Sequence, residues 1–247
     1  MDNHPYFSVI TCSFNNEKTI GATISSVQFQ SFKNYQHIIM DGGSKDCTLK
    51  TAQALSDEKT FCYLVPDNGI YEGFNNALKK ARGKYIIFLN SDDQFFSTTV
   101  LEEVYKATHH ANPDIVYGDV NMVKENSECV RAWIAGEFSV KKIKFGWCAP
   151  HPGFFFRHEA YNHFFYDDLK ISSDYGFMLT CFLKKDVCVI YINKKITNML
   201  IGGVSNSGFI SLIEKIKEDR KVLSRVGCGG WLTVILKRLI KIKQFLG

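Results

Sequence analysis

Two adjacent carboxylates, Asp92 and Asp93, follow the apolar run Lys84–Leu89. They are the clearest candidates for a chemical role in the sequence. Neighbouring carboxylates repel each other unless solvent or a cation relieves the repulsion. A divalent cation that takes oxygen ligands and bridges to diphosphate oxygens would supply that relief. The same pair could instead form a turn and cap a helix over Ser97–His109, and the pair alone leaves both functions open.

Polar side chains also follow the other strand-like runs. They are Thr11, Ser13 and Asn15 after the first run, Asp41 and Asp46 after the second, and Asp67 and Asn68 after the third. Ligands of open α/β sheets bind beyond the carboxyl ends of the strands, so these residues indicate a shared site. The segment Cys12–Glu17 has no glycine, which excludes a dinucleotide-binding glycine motif there, and a P-loop is also absent. Phosphates must therefore be bound by a metal or by side chains.

The elements that position these residues alternate between strand and helix patterns. Strands are predicted over Phe7–Cys12, Tyr35–Asp41, Thr60–Val65, Lys84–Leu89 and Val187–Ile192. Helices are predicted over Glu17–Ser31 with Asn16 as a possible cap, Lys45–Leu55, Ile70–Ala81 and Ser173–Lys184, and as two segments beyond Gly208. Such alternation predicts βαβ units and a mostly parallel sheet.

Several segments also match a known family in order and spacing. They are Phe7–Thr11, Asp41–Asp46, Asp67–Tyr71, Phe88–Asp93, Tyr117–Asp119, His151–Phe154, Ser173–Tyr175 and Gly202–Ser205. Together they resemble glycosyltransferase family 2, and within it the bacterial O-antigen and capsule enzymes. The resemblance extends from Phe7 to Ser207.

This resemblance implies an α/β fold of the GT-A type, with a mixed and mostly parallel sheet between helices, and a catalytic domain over residues 1–208. Charge and helical periodicity predict that a basic amphipathic helical tail follows over residues 209–247. The implied reaction is the inverting transfer of a hexose from a UDP-sugar, with UDP-Gal or UDP-Glc favoured, in O-antigen or surface polysaccharide synthesis. The implied acceptor is a sugar linked to polyprenyl diphosphate, and the implied cofactor is Mn²⁺ or Mg²⁺.

Site roles come from the resemblance residue by residue. Asp92 and Asp93 would hold the metal, and Asp174 would be the general base. The nucleotide-sugar would be bound by Thr11, Ser13, Asn15, Asp41, Asp67, Asn68, Asn75, Asn90 and Asp92. His151, Gly203 and Ser205 would contact the acceptor or a phosphate.

Two positions depart from the family pattern. Gly42 stands where the family often has a second acid, so only Asp41 can make that contact. Ser173 and Gly176 stand where the family often has Glu, which leaves a second interpretation of Asp174 as the N-cap of a helix beginning at Tyr175. His151 likewise has a purely structural interpretation.

Charge is unevenly distributed along the chain. The net charge is +5, and residues 194–247 hold eleven Lys and Arg against three Asp and Glu. An apolar helical face is predicted in this tail, formed by Trp231, Leu232, Ile235, Leu236, Leu239, Ile242 and Leu246, with Lys237, Lys241 and Gln244 opposite. We expect this face to contact an anionic membrane surface. The alternative is a helix docked on the protein core with a solvated basic face.

The remaining features bear on location and on competing functions. No apolar run reaches the ~18 residues of a spanning helix, no secretory signal precedes Phe7, and the eight cysteines form no CxxC pair. We expect reduced thiols and a cytoplasmic protein, peripheral on the inner face of the bacterial cytoplasmic membrane. Nucleic acid is not expected as a partner, since aromatic and basic residues do not interleave. A sugar nucleotidyltransferase would need a glycine-rich basic loop after the first strand, whereas a catalytically degenerate scaffold on the same fold stays an alternative.

Overall fold

A computed structural model describes residues 4–161, 165, 166, 168–202 and 208–243. Within them, one mixed sheet of nine strands has the order β3-β2-β1-β4-β8-β6-β9-β5, and β7 pairs with β6. The strands are β1 (Phe7–Ser13), β2 (Tyr35–Asp41), β3 (Thr60–Leu64), β4 (Tyr85–Phe88), β5 (Gln94–Phe95), β6 (Ile115–Val123), β7 (Cys129–Trp133), β8 (Phe154–Arg157) and β9 (Val189–Leu200). The helices are α1 (Ile20–Gln28), α2 (Thr48–Ala54), α3 (Ile70–Leu78), α4 (Val100–Thr108), α5 (Val140–Lys144), α6 (Ser173–Phe182), α7 (Gly208–Arg225) and α8 (Trp231–Lys243).

The N-terminal half is a parallel arrangement of β3, β2, β1 and β4. Its register places Ser13 beside Asp41 and Asp41 beside Leu64, so the carboxyl ends of three strands meet at one edge. The four predicted strands and the helices between them are confirmed. The cap proposed for α1 is wrong, because the cap residue is Thr19 and the side chain of Asn16 instead accepts hydrogen bonds from the Phe14 amide and the Ser91 hydroxyl.

The C-terminal half adds antiparallel strands to the sheet. β8 pairs antiparallel with both β4 and β6, and β9 pairs parallel with β6 and antiparallel with β5. β9 is longer than predicted because it follows β6 along its whole length. Its last residues return to the loop after β4, where the Leu200 amide meets Asp93.

The core lies on both faces of the sheet. The triplet in β8 shows the alternation of a strand, since Phe154 and Phe156 join one cluster while Phe155 joins the other. All three rings are buried, so packing explains this run of phenylalanines. Each of the eight cysteines is free.

The C-terminal helices pack on this core. Val222, Leu223, Cys228 and Val234 belong to the same buried cluster as the central strands. Both interpretations of the sequence predicted that the basic side of α8 is exposed. For Lys237 this prediction is wrong. Lys237 is buried and pairs with the buried Asp219 of α7, because a carboxylate removed from water needs a compensating cation.

The opposite side of α8 is apolar and exposed, as predicted for Trp231, Leu232, Ile235 and Leu239. Gln244 and Leu246 lie outside the described residues. Among the described residues, no helix combines the length and hydrophobicity needed to cross a membrane.

Candidate active site

Asp41 organises the turn at the end of β2. One carboxylate oxygen accepts hydrogen bonds from the amides of Gly43 and Ser44, at 3.0 and 2.8 Å. The other accepts from the hydroxyls of Ser13 and Ser44, at 3.2 and 2.7 Å. The predicted site residues Ser13 and Asp41 are therefore brought together, and this turn is held by hydrogen bonds to one buried carboxylate.

Asn15 extends this edge. It has a positive φ of 54°, and its side-chain oxygen accepts a hydrogen bond from the Lys45 amide at 2.8 Å. Its own amide donates to the Ser44 hydroxyl at 2.9 Å. Thr11 does not reach this edge, because it is fully buried with its hydroxyl 3.0 Å from Nε2 of His37.

Asp67 lies in a slot between two glycines. A Cβ atom built on Gly42 would lie 2.9 Å from its Oδ1, and one built on Gly73 would lie 2.8 Å from its Oδ2. The carboxylate of Asp67 thus takes up space next to position 42, where the family often has a second acid. Burial raises the pKa of Asp67. The hydrogen bond from the Gly69 amide lowers this pKa, whereas the negative charges of Glu72 and Asp41 raise it.

Two other predicted nucleotide-binding residues, Asn68 and Asn75, make hydrogen bonds within the protein. Asn68 donates both its amide and its side-chain N–H to Glu72, at 2.8 and 3.0 Å, at the start of α3. Asn75 pairs through its side-chain amide with the backbone of Phe165, accepting at 2.9 Å and donating at 3.2 Å. Asn75 therefore joins α3 to the segment before α6.

The loop after β4 holds Asn90, Asp92 and Asp93. Asp93 is fully buried and accepts from the Leu200 amide at 3.2 Å and from the side chain of Asn90 at 3.3 Å. Asp92 is half-buried, and its carboxylate makes no hydrogen bond to another described residue. Burial raises the pKa of both acids, and the charge of Asp92 adds to the effect on Asp93. Asp92 is thus the more accessible of the two, and Asp93 fixes the loop to β9.

Asp174 lies in the first turn of α6. The helix begins at Ser173 with Ser172 as its cap residue, and no side chain caps it, so the capping interpretation of Asp174 is wrong. The hydroxyl of Tyr71 donates to the Ile171 carbonyl at 2.7 Å and approaches Oδ1 of Asp174 at 3.3 Å. Burial and the charge of Asp174 raise the pKa of Tyr71, which keeps the phenol protonated.

The segment that leads into Asp174 is held by α7. Glu218 accepts hydrogen bonds from the consecutive amides of Lys170, Ile171 and Ser172, each at 2.8 Å. Asp219 accepts from the Ser172 hydroxyl at 2.9 Å. Sequence reasoning missed both acids, since neither belongs to a motif or follows a strand.

His151 is the remaining described candidate. Its ring stacks on Phe88 with centroids 5.7 Å apart and lies 5.9 Å from Phe74. Its Nε2 has no hydrogen-bond partner among the described residues. Burial lowers the pKa of His151, although the charge of Asp174 opposes this, so the ring is neutral near pH 7. Gly203 and Ser205 lie outside the described residues.

The sequence matches a known protein family. The family described as "Glycosyl transferase family 2" matches residues 8–170, which include every predicted site residue that the structure describes except Asp174. The chain belongs to this family.

Two glycosyltransferases are similar to this chain over different lengths. A "PGL/p-HBAD biosynthesis glycosyltransferase" of Mycobacterium bovis is 26% identical over 210 residues, covering 82% of this chain and 80% of the relative. The Escherichia coli "UDP-Glc:alpha-D-GlcNAc-diphosphoundecaprenol beta-1,3-glucosyltransferase WfaP" is 35% identical over 101 residues, covering 40% of this chain and 39% of that relative.

The fold also has solved counterparts. The crystal structure of S. aureus TarS 1-349 in complex with UDP-GlcNAc aligns with a TM-score of 0.71 at 20% identity, covering 89% of this chain and 65% of that structure. This likeness confirms the GT-A fold expected from the sequence. The chain is a glycosyltransferase by its family and by its relatives.

Proposed function

We propose that this glycosyltransferase moves a hexose, UDP-Gal or UDP-Glc being favoured donors, with inversion onto a sugar linked to a lipid diphosphate. The contact between Tyr71 and Asp174 carries the proposal. Tyr71 lies on α3 four residues after Asp67, so this contact brings the proposed base close to the proposed nucleotide-binding edge. A donor bound at the edge would present its anomeric carbon toward Asp174.

Asp174 acts as the general base in this proposal. Its carboxylate takes the proton of an acceptor hydroxyl while that oxygen bonds to the anomeric carbon of the donor. The bond from the anomeric carbon to the diphosphate breaks, and UDP leaves with the electron pair. One displacement of this kind inverts the configuration. His151 stays a candidate contact for the acceptor or a phosphate, and in this structure its Nε2 is buried.

The residues after β4 fit a divalent cation. Asp92 offers a half-exposed carboxylate next to the buried Asp93, and desolvation of this pair favours a cation that offsets their charge. No group of three His, Cys, Asp or Glu side chains in the described part of the chain is arranged to hold a metal by itself. Substrate oxygens would complete the ligand set of Mn²⁺ or Mg²⁺, which supplies charge neutralisation for the departing UDP.

The acceptor class is supported by the name of WfaP, which acts on a diphosphoundecaprenol-linked sugar. We infer a related acceptor for this chain, in O-antigen or other surface polysaccharide synthesis. With such an acceptor, the enzyme would work at the inner face of the bacterial cytoplasmic membrane. Peripheral contact with that membrane is consistent with the exposed apolar side of α8.

The test is a transfer assay with a panel of UDP-sugars and a synthetic sugar diphosphate-lipid. UDP release that depends on the acceptor, and a product whose new linkage is β by NMR, are expected. Binding of UDP-sugars without transfer to any acceptor would contradict the proposal and favour a degenerate scaffold. Retention of the donor's anomeric configuration would exclude the single displacement.

A further inference from the structure

α8 presents its apolar side to the outside of the molecule. Trp231, Leu232, Ile235 and Leu239 are 57%, 65%, 54% and 49% exposed. The inward side holds Thr233, Val234 and Lys237, all buried. Large apolar side chains that share one exposed helix face mark an interaction surface more often than chance.

A second exposed apolar group adjoins this helix. Phe145 follows α5 and is 64% exposed, and Val140 at the start of α5 is 47% exposed. The Thr233 hydroxyl donates to the Lys144 carbonyl at 2.8 Å. Gly146 packs so closely on α8 that a Cβ there would lie 2.3 Å from the Lys237 amide nitrogen. The segment that carries the second apolar group is therefore in direct contact with α8.

We define the α5–α8 surface by these apolar side chains. They are Val140, Phe145, Trp231, Leu232, Ile235 and Leu239. Two further exposed side chains, Ile134 and Ile240, line one shared cleft beside it with Trp147. The surface thus combines residues from two parts of the chain, and only the part on α8 follows from helical periodicity.

Among the described side chains, the cations of this surface come from α5. Lys141, Lys142 and Lys144 are all exposed, against one acid, Glu137, in the same loop. Lys237 and Arg238 of α8 are not available to a partner because both pair with Asp219. Large apolar side chains beside several lysines are complementary to an anionic lipid surface, which accepts both at the boundary of headgroups and acyl chains.

We propose that the α5–α8 surface docks the enzyme on anionic lipid, with α5 supplying the charge and α8 most of the apolar area. The proposal rests on the proposed function insofar as a lipid-linked acceptor must be reached. On its buried side α8 reaches the residues around the candidate base, where Lys237 Nζ lies 3.1 Å from the ring centroid of Tyr175, the residue after Asp174. The chain after α5 continues to His151.

The experiment is flotation of the full chain with vesicles of phosphatidylcholine, with and without phosphatidylglycerol. Wild-type protein should bind the anionic vesicles and be released by salt, because exposed lysines supply part of the attraction. Two double variants test the surface, Phe145→Ser with Leu239→Ser and Lys141→Glu with Lys144→Glu. Each should bind the anionic vesicles at least roughly tenfold more weakly than wild type. Their melting temperatures should match wild type, because all four side chains are exposed.

Matched controls come from exposed residues outside α5 and α8. Phe29, at the end of α1, is 70% exposed, and Lys33 and Lys50 are exposed cations near β2 and β3. Phe29→Ser and Lys33→Glu, Lys50→Glu should bind vesicles as wild type does. Equal loss in these controls would overturn the proposal, as would failure of the wild type to bind anionic vesicles.

Two further results separate this proposal from others. The wild type could be a dimer that does not bind lipid, with the Phe145→Ser, Leu239→Ser variant monomeric. That result would assign the surface to contact with a second copy of the chain and overturn the proposal. Transfer to a short-chain, water-soluble acceptor tests the proposed function alone. Transfer without vesicle binding would contradict only the proposed docking surface. Vesicle binding through this surface without transfer would contradict only the proposed reaction.

Discussion

At the scale of single residues, Gly42 and Asp67 show how the chain accommodates a departure from its family. Position 42 lacks the acid that the family often has, and the carboxylate of Asp67 lies against that glycine instead. Gly73 leaves the space on the other side of the same carboxylate. Two glycines far apart in sequence thus create the slot for one acid at the proposed nucleotide edge.

Gly42→Ala should therefore weaken UDP binding. The added methyl would lie 2.9 Å from Asp67 Oδ1 and force that carboxylate to move. Loss of a hydrogen bond to a charged group predicts a Kd for UDP raised roughly tenfold or more, measured by calorimetry. Gly21→Ala in α1 is the control, since its nearest contact is an ordinary 3.4 Å to Leu55. Unchanged affinity in Gly42→Ala would exclude Asp67 from the nucleotide site.

Asp174→Asn tests the base. The amide cannot accept the proton of the acceptor hydroxyl, so kcat should fall by ~10²–10⁴. The KM for the UDP-sugar and the melting temperature should stay near wild type, because Asp174 caps no helix. Normal kcat with a lower melting temperature would contradict the catalytic role.

Asp92→Asn tests the metal. If Asp92 binds the cation through its half-exposed carboxylate, the variant should need much more Mn²⁺ for half-maximal activity, and excess EDTA should abolish wild-type transfer. The fold should be retained, because this carboxylate makes no hydrogen bond to another described residue. Full turnover in excess EDTA would show that the reaction does not depend on a metal.

At the scale of elements, α7 holds the segment before α6 in place. Three consecutive amides converge on Glu218, and a fourth hydrogen bond joins Ser172 to Asp219. Consecutive backbone amides that share one carboxylate fix the local chain direction, because each N–H must point at the same group. The position of Asp174 is therefore set by a helix outside the residues that match the family.

Glu218→Gln should lower kcat while leaving the KM for the UDP-sugar unchanged. The neutral amide accepts these hydrogen bonds more weakly, so Asp174 should be less well positioned toward the acceptor, and a loss of roughly tenfold is expected. Glu214→Gln, one turn earlier and exposed, is the matched control. Equal changes in kcat for both variants, or a rise in KM for the donor alone, would assign Glu218 a merely structural role.

The sequence predicted the strand-end acids because each follows a periodic element, and periodicity places strand ends at one edge. It did not predict that Asn75 joins α3 to Phe165, or that Glu218 fixes residues 170–172. Both depend on contacts across long stretches of chain, to which no local pattern corresponds. The inward turn of Lys237 was missed for the same reason, since its partner is on another helix.

At the scale of the whole molecule, the C-terminal helices share the core of the sheet and are joined to it by a buried charge cluster. Asp219 is fully buried, and it contacts Lys237, Arg238 and Ser172. Burial opposes ionisation, but the two cations outweigh it and lower the pKa of Asp219. Part of the stability of the whole chain should therefore depend on α8.

Lys237→Met should lower the free energy of unfolding by about 3 kcal/mol, because removing one partner of a buried ion pair leaves a poorly compensated charge. Lys217→Met, on an exposed position of α7, should change it little. Since the folded pKa of Asp219 lies below its unfolded value of about 3.9, the ion pair stabilises the fold above that pH and is lost as pH falls through the folded pKa. Urea unfolding should show the difference between wild type and Lys237→Met shrinking below about pH 4. A difference that is absent at pH 7 would mean that α8 is attached by its apolar contacts alone.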